Sequence, residues 1–166
     1  VAYVNHYWIQ QNGKEASLIS NKVKLGGSST AQNWLTFDYA YAGYAAGYDD
    51  GLRIEISSDC GTTWDSIYGA IGPDLQTTAY VGSPWYPTCD SWKTDSINLS
   101  NWGLNGDTIM VSFVAINDYG NRFFMDNVNI NGQNILAIEE GKNTNIYTSI
   151  YPNPTKGIFS IRTFFS

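Results

Sequence analysis

The chain has 166 residues and a formal net charge of −6, with only 14% of residues charged. That is long enough for one ordinary domain with a real core, and too acidic to suggest nucleic acid as a partner, whose phosphates call for a basic surface. No apolar run approaches the ~20 residues of a membrane-spanning helix, and two cysteines with one histidine are too few for a four-ligand structural zinc.

In chain order, the first segment with strand character is residues 18–25, which alternates loosely before Gly26-Gly27. Residues 34–42 are clearer, with Leu35, Phe37, Tyr39 and Tyr41 on one face and Thr36, Asp38 and Ala40 on the other. The stretch "GYAAGYDDG" then reads as a loop. Leu52, Ile54 and Ile56 alternate with Arg53, Glu55 and Ser57, a half-buried antiparallel strand. "SDCGTT" turns the chain into a further strand at 64–70. Residues 71–92 carry Pro73, Pro84 and Pro87 and form a long irregular loop. Strands follow at 93–99, at 108–117 and at 122–131. The 108–117 strand is apolar on both faces, as expected of a central strand covered on both sides. Nothing shows a sustained helical period, so the pattern predicts an all-β, two-sheet antiparallel sandwich over residues 1–132. A polar linker spans 133–149, and a new unit opens near 150.

Cys60 and Cys89 both sit in turn-like settings, "SSDCGTTW" and "WYPTCDSW". They read as one disulfide closing a loop of about 30 residues, the alternative being two free thiols. A disulfide implies an oxidising, extracytoplasmic location. Val1 shows no leader sequence, and the missing initiator Met reads as a mature or trimmed chain.

Period two places Asp126 in a row with Phe124, Val128 and Ile130. A carboxylate in an apolar row must be hydrogen-bonded, paired or metal-bound. One reading makes it a structural calcium ligand, with Asp49, Asp50 and Asn121 as oxygen donors from nearby loops. The other has Asp126 capping backbone amides and Asp49-Asp50 solvated in a turn. Trp85, Tyr86 and Trp92, in or beside the long loop, suit stacking on sugar rings or contact with protein, since aromatic side chains offer large rigid area at low entropic cost. They serve equally as core or rim aromatics. The chain has no HExxH, no GxSxG and no phosphate-cradling glycine loop, so it reads as non-catalytic.

The ordered strings "LTFDYAYAGY", "DGLRIEISSDCGTTW", "WKTDSINLSNW", "IMVSFVAIN" and "YGNRFFMDNVNI" resemble the MAM-like jelly-roll domains of secreted Bacteroidetes proteins, related to the cleaved-adhesin and choice-of-anchor modules. The resemblance implies a β-sandwich, frequently calcium-stabilised, used for adhesion, protein interaction or surface assembly. A carbohydrate-binding module accessory to a secreted hydrolase or metalloprotease is the alternative. The family's usual first strand is not evident before Leu18. "YPNPTKGIFSIR" is similar to the start of a type IX secretion sorting domain, so residues 150–166 are expected to be its N-terminal fragment, with the chain secreted or on the outer cell surface. That lineage also implies O-glycosylation of Asp-Ser/Thr-aliphatic triplets, which Ser66, Ser96 and Thr108 match.

Overall fold

The computed structural model describes residues 1–8, 11–27, 32–131, 133–134, 146–151 and 160–165. Two antiparallel sheets pack face to face. The first contains β1 (Ala2–Asn5), β4 (Trp34–Tyr41), β7 (Lys93–Asn98) and β9 (Arg122–Ile130), in the order β1-β9-β4-β7. The second contains β2 (Glu15–Ile19), β5 (Gly51–Ser57), β6 (Asp65–Ile71) and β8 (Thr108–Ile116), in the order β2-β8-β5-β6. Short strands β3 (Val23–Lys24) and β10 (Gln133–Asn134) pair antiparallel with β8 and β9. The pairs are nested: β5 with β6, then β4 with β7, β2 with β8, and β1 with β9. A long hairpin folded over on itself gives this order, which is the jelly roll.

The inward rows are the alternating apolar sets. Leu35, Phe37, Tyr39 and Tyr41 from β4 meet Leu52, Ile54 and Ile56 from β5, with Ile109, Val111 and Phe113 from β8 beside them. Each such side chain contributes about 1.5–3 kcal/mol on burial, which fixes strand register because a one-residue slip would turn every one of them outward. The chain enters the sandwich earlier than expected. β1 and β2 both precede Val23, and neither carries a strong period, because β1 has only four residues and β2 is largely exposed. Residues 18–25 are not one strand but the end of β2 and then β3.

The disulfide expectation is overturned: Cys60 and Cys89 are both free and exposed. Topology explains why. β6 and β7 run antiparallel at facing edges of the two sheets, where the Tyr68 hydroxyl donates to Asp95 at 3.0 Å. Cys60 precedes the start of β6 and Cys89 precedes the start of β7, so the thiols lie at opposite ends of the sandwich. The 71–92 loop is held by other means, through Thr77 N–H to the Tyr41 carbonyl (2.9 Å) and Val81 N–H to the Gly43 carbonyl (2.8 Å).

Beyond the sandwich, β11 (Ile146–Tyr151) pairs antiparallel with β12 (Ser160–Phe165), from Ile146↔Phe165 to Tyr151↔Ser160. β11 starts within the stretch expected to be linker. The expected Pro-rich turn at 152–157 lies outside the described residues.

Candidate functional site

β9 carries the parity change that builds the site. Phe123 and Met125 point into the core, and so do Val128 and Ile130, an odd step apart. Asn127 absorbs the extra residue with φ of 49°, opposite a register shift in β4 between Thr36 and Asp38. This is a β-bulge, and it reverses which face an unbroken alternation assigns. Arg122, Phe124 and Asp126 therefore face outward together, and Asp126 does not share the core row of Val128 and Ile130. Asp126 is 39% exposed, with one oxygen 3.4 Å from the Val1 amino nitrogen and accepting the Asn127 N–H.

Phe124 is the centre of an aromatic face. It is 6% exposed, although it lies on the outside of the sheet. Tyr3, its register partner on β1, stacks on it at 5.5 Å and 22°. Trp85 meets it edge-on at 6.0 Å, and Tyr86 lies at 6.1 Å. Tyr3 and Tyr86 are 63% and 64% exposed, so the covered ring has a rim of open ones. Arg122 sits beneath Tyr86, its Cζ 4.2 Å from the ring centroid, a cation–π contact worth about 2 kcal/mol when desolvated. Trp92, half-buried before β7, makes no ring contact with this group among the described residues.

Asn121 holds the loop in place. Its Oδ1 accepts from Trp85 N–H (3.1 Å) and Arg122 N–H (2.9 Å), while its Nδ2 donates to the Val81 and Ser83 carbonyls, both at 2.9 Å. Every polar atom of that side chain is thus engaged. Behind it, buried Asp50 accepts at Oδ1 from Asp118 N–H (2.7 Å) and Gly120 N–H (3.0 Å), and at Oδ2 from Asn121 N–H (3.1 Å). His6 Nδ1 lies 3.0 Å from the same Oδ2. A Cβ at position 120 would collide with the Asp50 carboxylate and the Tyr41 hydroxyl, so the loop needs glycine there. Burial, reinforced by the adjacent Asp50 charge, pushes the Tyr41 phenol well above its ordinary range.

The four expected calcium ligands do not converge. Asp50 and Asn121 meet N–H donors that a cation would have to displace. The Asp49 carboxylate lies against Gly72, and Asp126 is out on the sheet. Asp50 and Asn121 act instead as anchors of the aromatic loop. Ser66, Ser96 and Thr108 are all exposed, on β6, β7 and β8.

No family model and no curated protein matches the chain. The site therefore stands on its geometry. Of its residues, Trp85 and Tyr86 are visible in the sequence as loop aromatics. Tyr3, Phe124 and Arg122 are not, because reading Phe124 as an outward ring requires knowing the bulge at Asn127.

Proposed function

We propose that the chain is a non-catalytic binding module that makes contact with a protein partner through the aromatic face of its first sheet. The observation that carries this is the placing of Tyr3 and Tyr86, nearly two-thirds exposed, around the covered ring of Phe124, with Trp85 and Arg122 beside them. Tyr, Trp and Arg around a desolvated centre are the composition of protein-contact hot spots. Adhesion or surface assembly outside the cell belongs to the same proposal. It is supported by the resemblance to MAM-like and cleaved-adhesin modules and by the similarity of 151–162 to a type IX sorting domain. Calcium belongs to it only at Asp126, which adjoins Asp38 in register. Thermal unfolding with and without EDTA checks this, and an unchanged midpoint removes calcium from the account.

The deciding experiment is binding of the labelled protein to a panel of immobilised extracellular proteins and to a glycan array. Saturable binding to a protein, lost in the Tyr3→Ala/Tyr86→Ala double variant and indifferent to free sugars, is expected. Glycan binding lost in the same variant would instead make it a carbohydrate-binding module. Hydrolytic turnover abolished by removing one carboxylate would make it an enzyme.

A further inference from the structure

The two lateral edges of the sandwich are finished differently. At one, the Tyr68 hydroxyl on β6 donates to Asp95 on β7 and closes the gap between the sheets. That edge is also awkward to pair with, since β6 carries an extra residue at Ile67 and β7 begins with Lys93. At the other edge β1 and β2 face each other, and the gap stays open as a cavity of about 240 Å³. Ala2 and Val4 line it from β1, Ala16 and Leu18 from β2, with Phe113 and Met125 further in, and no charged side chain reaches it.

β2 ends its sheet with hydrogen-bonding groups unspent. The Ser20 N–H donates to the Val111 carbonyl (2.8 Å), and the Asn117 N–H donates to the Lys14 carbonyl (2.9 Å). Bonded positions recur at every second residue of an antiparallel ladder, so Ala16 and Leu18, in step between those two, bond to β8. Glu15, Ser17 and Ile19 therefore turn their N–H and C=O groups to the open side, where no backbone bond meets them among the described residues. All three are exposed, Ile19 at 49%. β2 has no proline, lysine or bulge to protect it, and Arg53 draws Glu15 away over the sheet.

We propose that β2 is a self-association edge, through which two copies of the chain join antiparallel about a two-fold axis at Ser17. In that register the strand is complementary to itself. Ser17 meets Ser17 of the second copy and Glu15 meets Ile19, so every open N–H and C=O of these three residues finds its match. No like charges stand opposite each other. The same operation sets the two apolar cavity mouths against one another and takes them out of water. An isologous contact of this kind closes at two copies. Its axis runs perpendicular to the sheets, so the aromatic faces of both copies point the same way. Double engagement of one target by those faces rests on their being a contact surface, whereas the pairing through β2 does not.

Sedimentation equilibrium of the full chain tests the edge, under reducing conditions so that the exposed Cys60 and Cys89 cannot cross-link. A reversible dimer is expected. Ser17→Pro removes an N–H from the open side but none from the β8 ladder, and should weaken the dimer at least about tenfold. Ser17→Lys and Ser17→Glu each place like charges across the axis and should do the same, while their equimolar mixture should dimerise again. Both change an exposed side chain, so this pair decides even if the proline variant does not fold. A chain that stays monomeric up to about 1 mM, or a dimer indifferent to all three substitutions, would overturn the edge. So would a charge-swapped mixture no tighter than its components, or assembly that grows past two copies.

Discussion

The two sheets turn opposite surfaces outward, and an arginine marks each. On the second sheet, Arg53 extends from β5 across β8 to Glu15 on β2, with Nη1 and Nη2 each 3.1 Å from a carboxylate oxygen. Its Nε donates to Glu55 at 2.7 Å. That fully bonded bridge passes over the β8 backbone at Val114, which stands in register with both Arg53 and Ser17 and is only 2% exposed. On the first sheet, Arg122 is buried under Tyr86 with donors unmet, and open aromatic rings stand where the other face has ion pairs. One face is closed with its own charges. The other keeps the Tyr3 and Tyr86 rings open, as the proposed contact face requires.

Four predictions probe the difference. The largest effect is expected from Phe124→Ala, which should cost about 3–4 kcal/mol in denaturant unfolding because the ring is a buried centre despite facing outward. A loss below about 1 kcal/mol would mean the face is only a rim. Next, Asn121→Ala should cost about 2 kcal/mol and speed hydrogen exchange at the Trp85 amide, since one side chain makes three bonds to the loop and a fourth to the Arg122 N–H beside it. On the closed face, the coupling between Arg53 and Glu15 in a double-mutant cycle should be at most about 1 kcal/mol and fall with added salt, because both groups are partly exposed.

The smallest effect sits in the β5–β6 turn. The Thr63 N–H and hydroxyl, with the Ser57 hydroxyl, hold Asp59 down to a pKa of about 2. A carboxylate depressed below its ordinary value of about 4 contributes stability above that pH, and loses it as pH falls towards 2. Carboxyl NMR should place the midpoint near 2, and Asp59→Asn should flatten that part of the acid limb.

The strands from 34 onward were legible because their inward rows are cleanly apolar, as in Leu52, Ile54 and Ile56. β1 and β2 were not, since a four-residue strand and an exposed edge strand carry little period. The both-sided apolar look of β8 has a local cause: Val114 is covered by the Arg53–Glu15 bridge rather than by another layer. Asp126 looked buried because alternation was carried through Asn127, where one left-handed residue reverses it. The cysteine pairing failed for a global reason, because turn-like surroundings say nothing about which end of a sandwich a turn occupies. Loop aromatics were visible as types, but their convergence on Phe124 depends on Asn121, which resembled a metal ligand on paper.

The most direct test of the contact face is hydroxyl-radical footprinting of the chain with and without its bound protein target. Tyr3 and Tyr86 should become protected on binding, while Tyr119 and Trp102, exposed at the ends of the sandwich, should oxidise at unchanged rates. Unchanged oxidation of Tyr3 and Tyr86, with protection appearing at Ile19 on the second sheet, would contradict the account.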